Sequence, residues 1–329
     1  MPRCFFRFLP LLVLSAFPLM AAGQQAGAIG EAADRVHCFG RFCVNLPAGM
    51  LRVHDQHEIR EIGIDEKRWH NPGNRERVRE FDSRIKAIEA LATGKAAGAV
   101  QGKVISRHEL ETPKLQAAIY QREDNPFVAT WGALLSKGPV DAWLQYDSDF
   151  TAAADWPPAL LEVAQAYRVS EVNPGAMRDG GLFHLRFGAV ALPYKIMEKS
   201  SVRFEYPALQ IKLRISTDTL NEARPGSLKE RLAANARLLG SGGRDLRIQK
   251  NQLRLAAGMT GEESITRSDA PGLETLAFKW NYAGDGQAEL KPRMVIEMDS
   301  APGQDEQKLA LWNRLLQSLR PAASSAVRF

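Results

Sequence analysis

Cys38 and Cys43 are the side chains whose chemistry is most constrained by spacing. Fully extended, that stretch spans about 17 Å, whereas a disulfide needs Cα atoms within about 7 Å. A bridge therefore requires the chain to fold back at Phe39-Gly40-Arg41, which Gly40 permits and a continuous strand opposes, so both forms stay open. Two thiols without a second pair make a poor zinc site. His54 and His57, with His70 further on, have His-x-x-His spacing but not the His-Glu-x-x-His form of a zinc protease helix. They read as solvated or packed rings. Glu262 and Glu263 could share acid–base work, yet neighbours on a strand point to opposite faces. Gly240-Ser241-Gly242-Gly243 has the composition of a phosphate loop but follows a helix instead of opening one. No Gly-x-Ser-x-Gly elbow and no thiol-protease signature is found. The expectation is a protein with no catalytic group, no metal and no cofactor.

The chain that must position these residues has 329 of them, 45% hydrophobic and 25% charged, ordinary for a globular protein and long enough for two domains. Arg3 and Arg7, an apolar run from Phe8 to Met20, and the small residues Ala21-Ala22-Gly23 read as a secretory signal, residues 1–23, cleaved after Gly23. Cys4 lies ahead of the apolar run, so it is not a lipoprotein cysteine. No later segment is long enough to cross a bilayer as a helix, so no membrane insertion is expected once the signal is cut. The expected location is the periplasm, which allows a disulfide. The formal net charge of +5 includes Arg3 and Arg7, and the rest is spread over both signs, without the clustered Lys and Arg that nucleic acid requires.

Beyond the opening strand, Leu51–Ile64 is a mixed stretch, and Val78, Phe81, Ile85 and Ile88 predict a helix over Arg75–Leu91. Strands are predicted at 103–110, 115–122, 127–135 and 140–146, separated by Pro, Gly, Asn and Asp turns, with a helix carrying Leu160, Ala164 and Tyr167 after them. Asn173-Pro174-Gly175 marks the domain boundary. The second half repeats the order: Val190-Ala-Leu-Pro193 echoes Val44-Asn-Leu-Pro47, and alternating strands cover 202–206 and 209–215. A helix over Ser227–Leu239, further strands, and a final helix over Asp305–Leu319 burying Leu309, Trp312, Leu316 and Leu319 complete it. The fold class is α+β: two similar domains, residues 24–172 and 173–329, each an antiparallel sheet with packed helices.

Phe39-Gly-Arg-Phe with Val44-Asn-Leu-Pro47, then Ala257-Gly-Met-Thr-Gly-Glu-Glu263, Phe278-Lys-Trp280, the region of Gly284, and Pro292-x-Met-x-Ile-x-Met298 together resemble periplasmic immunity proteins that neutralise type VI secretion lipase effectors. Asn45 departs from the pattern, which has an acidic residue there. The resemblance implies a protein that binds its cognate phospholipase effector between two domains and blocks access to membrane lipid, with no chemistry of its own. The alternative is a periplasmic binding module for another ligand. Contacts are expected on loops, which tolerate variation. Trp69, His70 and Asn74 in one loop, and Arg122 and Asp124 in another, combine polar groups with an aromatic or an Arg.

Overall fold

Two-residue periodicity dominates the chain, and the structure is accordingly mostly antiparallel sheet with few helices. The computed structural model describes residues 34–71, 73, 75–90, 103–121, 127–149, 155–170, 181–195, 197–219, 246–268, 274–285 and 291–322. The signal segment 1–23, the junction Asn173–Gly175, the helix expected over Ser227–Leu239, the Gly240–Gly243 loop, and Asn74, Arg122 and Asp124 lie outside the described residues.

β1 (Arg35–Phe39) and β2 (Phe42–Leu46) form a hairpin turned at Gly40, whose φ of +50° suits glycine. The Cys38 and Cys43 sulfurs are bonded across it, with Cα atoms 4.0 Å apart. The stretch read as mixed is a second hairpin, β3 (Leu51–Ile59) and β4 (Ile62–Arg68). Its turn residues Arg60 and Glu61 both have positive φ, which neither residue type advertises. The expected helix is broken at Arg79 into α1 (Arg75–Val78) and α2 (Glu80–Ala90). That break leaves Val78 79% exposed, whereas Phe81 and Ile85 are buried. β5 (Val104–Glu111), β6 (Lys114–Gln121), β7 (Val128–Lys137) and β8 (Val140–Asp149) then meander. α3 (Pro158–Ala166) runs directly into β9 (Tyr167–Val169).

In the second half, β10 (Leu182–His184) and β11 (Gly188–Ala191) make a short hairpin. β12 (Glu198–Tyr206) and β13 (Ile211–Asp218) follow, joined by a tight turn at Pro207–Leu209. β14 (Leu246–Ala256), β15 (Met259–Ser268), β16 (Thr275–Tyr282) and β17 (Arg293–Ser300) meander in turn. α4 (Asp305–Ser318) and the two-residue β18 (Arg320–Pro321) close the described chain. In α4 the buried stripe is Lys308, Leu311, Trp312, Leu315 and Leu316, and Leu309 is 40% exposed, contrary to expectation. Lys308 is drawn inward because its Nζ donates to the carbonyls of Ala301 and Gly303.

Instead of one sheet per half, twelve strands form a single sheet ordered β14-β15-β16-β17-β13-β12-β3-β4-β8-β7-β6-β5. From the central β12–β3 pair outward, the first half reads β3-β4-β8-β7-β6-β5 and the second β12-β13-β17-β16-β15-β14, the same path. Two smaller sheets exchange material between the halves. The opening hairpin β1–β2 pairs with β18 at the far end of the chain, while β10–β11 pairs with β9 of the first half. The cores follow suit. Phe39, Phe42, Val44 and Leu46 pack with Phe278, Trp280 and Trp312 of the second half. Phe183, Leu185 and Val190 pack with Trp131, Leu144 and Tyr167 of the first.

Most of the Ala257–Glu263 motif is structural. Ala257 and Gly258, both at positive φ, turn β14 into β15. Gly261 lies under the Trp280 indole, where an added Cβ would sit 2.5 Å from the ring. Glu263 is fully buried and accepts hydrogen bonds from Trp312 Nε1 at 2.7 Å, Arg254 at 2.7 Å and Gln252 at 2.8 Å, with Lys250 Nζ 2.9 Å away. Glu262 points to the opposite face, as strand geometry requires. Substituting Gly261→Ala is expected to cost about 1–3 kcal/mol, because the ring is held by Trp280 Nε1 donating to the Arg254 carbonyl and cannot swing aside. Urea unfolding followed by tryptophan fluorescence checks this as a lowered midpoint.

Candidate protein-binding face and the polar seam behind it

The two faces of the central strands differ in kind. Along β3, Asp55, His57 and Ile59 point toward the interior, and His54 and Gln56 point to the open face. The inward polar residues meet their counterparts where the two small hairpins cross. There Gly40 and His184 exchange backbone hydrogen bonds, Gly40 N donating to His184 O at 2.8 Å and His184 N to Gly40 O at 2.7 Å. Arg41, the next residue, is buried and pairs with buried Glu198 through two bonds, Nε at 2.9 Å and Nη2 at 2.5 Å, and its Nη1 also donates to the Gly181 carbonyl. Arg52 donates to the Cys38 carbonyl at 2.9 Å and to Asp55 at 2.5 Å, and Arg186 donates to the Arg52 carbonyl at 2.7 Å. Glu66 accepts from Tyr167 Oη at 2.6 Å and Phe187 N at 2.7 Å. These groups form a polar seam between the two apolar cores.

His57 and Ser200 are 3.0 Å apart in the seam, a spacing that invites a nucleophile–base reading. The remaining ring nitrogen settles the chemistry. Arg52 Nη2 lies 3.3 Å from Nε2 and can only donate, so Nε2 accepts and the ring proton sits on Nδ1, facing Ser200. Where a catalytic base has a carboxylate to stabilise its cation, this histidine has a guanidinium. Burial first, then Arg52 and His54, hold its pKa well below the ordinary histidine range. The pair is a buried hydrogen bond and cannot take up the serine proton.

His54 and His57 lie on opposite faces of β3, so they cannot share a metal ion. Among the described residues, Cys38, Cys43 and His184 are a group whose donor atoms converge for a metal, but the two sulfurs are bonded to each other. Trp69 is 7% exposed, its Nε1 donates to Asp141 at 2.8 Å, and Lys67 Nζ sits 4.0 Å above its ring, so it offers a partner little surface. Asp141 is held in addition by Arg77 at 2.8 and 3.0 Å, which anchors the loop to α1. His70 beside it is exposed. The residues that sequence reasoning missed are those of the seam. Arg41 lies inside the Gly-Arg-Phe motif, but Glu198, His184 and Glu66 carry no local signal, since their partners are distant in sequence.

The open face of the sheet carries a cavity of about 950 Å³ spanning β8, β4, β3, β12, β13 and β17, lined by His54, Gln56, Asp65, Gln145, Lys199 and Arg214 among others. A second hollow of about 360 Å³ continues across β13, β17, β16 and β15. α2 closes one end of this face by packing Phe81 and Ile85 on Tyr120, Leu134 and Trp143. The cavity is wide, wet and charged on both signs and lacks an enclosed apolar wall, and the His57–Ser200 pair among its lining residues carries Arg52 on the other ring nitrogen. It suits a folded partner better than a small molecule.

Burial first, then neighbouring arginines, bring the pKa of His37 and of His184 down to about 4. The unfolded chain therefore binds more protons than the folded one between the ordinary histidine value, about 6.5, and the folded value. Stability from these two groups is present above that window and is lost as pH falls through it. Glu66, whose pKa is raised chiefly by burial, works in the opposite sense. The urea midpoint is expected to be lower at pH 5 than at pH 7, with a smaller difference in a His184→Gln variant. Separately, Arg41→Met should cost about 3–5 kcal/mol by stranding the Glu198 carboxylate, and Arg41→Met with Glu198→Met should recover much of it. Thermal melts of the three proteins check this.

Residues 185–323 match the family model described as the C-terminal domain of Tle cognate immunity protein 4. No curated protein matches the chain. Among solved structures, the chain is similar to the apo immunity protein TplEi of the T6SS of Pseudomonas aeruginosa, with a TM-score of 0.66 and 14% identity, covering 89% of this chain and 98% of that one. It is also similar to a chain of the Tle4–Tli4 complex, with a TM-score of 0.68 and 14% identity, covering 90% of this chain and 99% of that one. At such identity the structural likeness speaks for the fold, and the family match speaks for residues 185–323. No helix among the described residues is long and apolar enough to cross a membrane.

Proposed function

We propose that this chain is an immunity protein that binds a cognate T6SS phospholipase effector and stops it by occlusion. The observation that carries the reading is the match of residues 185–323 to an immunity domain, set within a fold similar over 90% of the chain to a protein from the Tle4–Tli4 complex. The arginine on His57 supports a non-enzymatic role, since the pair that most resembles a catalytic one is disarmed. The site of action is the periplasm, with residues 1–23 serving as the export signal. The division into units 24–172 and 173–329 is supported by the repeated strand path, and exposed His70 remains a candidate for contact, with Asn74, Arg122 and Asp124.

An effector that attacks the cell's own membrane must be held almost wholly bound. That needs a Kd at or below the nanomolar range, about 12 kcal/mol, and a buried interface of at least about 1,600 Å². A twelve-stranded sheet offers such an expanse on one rigid surface. The test is to mix the purified protein with the lipase encoded beside its gene and follow phospholipid hydrolysis. Hydrolysis should cease at equimolar protein, with a complex on a sizing column. Undiminished hydrolysis without a complex overturns the reading, and lipid cleavage by the protein alone overturns the non-enzymatic part of it.

A further inference from the structure

We propose that Arg203 and Arg214, at the middle of the open face, are the seat for an acidic side chain of the partner protein. This rests on the binding reading above and deepens it. Arg203 stands directly opposite Arg214 across β12 and β13, and directly opposite His54 across β12 and β3. All three are exposed. Neighbouring rows on the same strands are balanced. Lys212 opposes Glu205, Lys199 pairs with Glu58 at 2.9 Å, and the row of Ser216, Ser201 and Gln56 is uncharged. In the Arg203 row the register places Glu297 on the far side of Arg214, but that carboxylate is engaged by Lys279. Arg214 reaches only as far as Ser201 Oγ at 3.4 Å, and among the described residues Arg203 has no acidic partner.

Like charges directly opposed on a sheet destabilise it, so folding does not explain this row. What it offers is two guanidinium forks side by side, and a fork binds a carboxylate through two parallel hydrogen bonds. The surroundings fit a protein contact. Arg214 and His54 line the large cavity, and Leu51 and Val53 on the adjoining β3 are 55% and 44% exposed. Arginine beside exposed aliphatic surface is the composition of an interface centre. The positive charge commits the occupant to an aspartate or glutamate of the effector.

The test is calorimetric titration of the cognate lipase into wild type, R203E and R203Q, with a thermal melt of each protein. R203E should raise Kd about tenfold or more and flatten its dependence on salt, while its Tm stays equal to or above that of wild type, because the new Glu faces Arg214. R203Q should give a smaller loss in the same direction. R203E binding as tightly as wild type overturns the seat and leaves the immunity reading intact. Wild type that fails to bind overturns the immunity reading and the seat with it. Sedimentation of wild type, but not R203E, with phosphatidylglycerol vesicles would also overturn the seat, in favour of a lipid phosphate.

Discussion

Glu198 is 3% exposed, and its carboxylate is tolerable there only because Arg41 meets it with a two-pronged bond. Arg41 reaches that place because the turn at Gly40 carries the opening hairpin over to the other half, where its backbone joins that of His184. At the crossing, two chain segments leave their own half to cover the core of the other. Their polar groups are buried there away from water and must be satisfied by each other. The seam is what makes the exchange possible, and the exchange is what makes one body of two repeated strand paths.

Much of this was legible, though unevenly. Alternation located the strands of the first meander and, apart from the extent of β14 and β15, those of the second, because it reports which side chains are buried. It does not report what they are buried against. Val44-Asn-Leu-Pro47 and Val190-Ala-Leu-Pro193 were readable as echoes, but not as segments that trade places. The fusion of the two strand sets into one sheet was equally invisible, since β3 and β12 each look like any half-buried strand until they are paired. The β3–β4 hairpin escaped notice because Arg60 and Glu61 hold the positive φ that Gly or Asn would have announced. In α4 the periodicity correctly placed Trp312, Leu316 and Leu319 in the interior and erred only at Leu309, where a lysine capping two carbonyls takes the inward position.

The candidate site divides along the same line. Spacing flagged His54 and His57, and the strand geometry that separates them onto two faces follows from the alternation itself. The partners of His57, Ser200 and Arg52, one of them far along the chain, required the fold. The interior of this protein is rich in groups that could in principle transfer protons, yet burial and arginines keep three histidines neutral. Those three rings are held back from taking up protons, and the outward face carries exposed charge.

β18 pairs Arg320 with Cys43, so a strand near the start of the chain finds its neighbour only near the end. For a polypeptide synthesised from its N-terminus, this sets a schedule. The first core cannot be sealed until β10 and β11 arrive, and the first hairpin cannot be seated until α4 and β18 do. Contacts of such long sequence separation fold slowly, because loop closure must precede any reward. The newborn chain therefore passes through a stage with open apolar flanks on both strand sets, when a holding chaperone has most to grip. Excising either half at its midpoint would make that transient stage permanent.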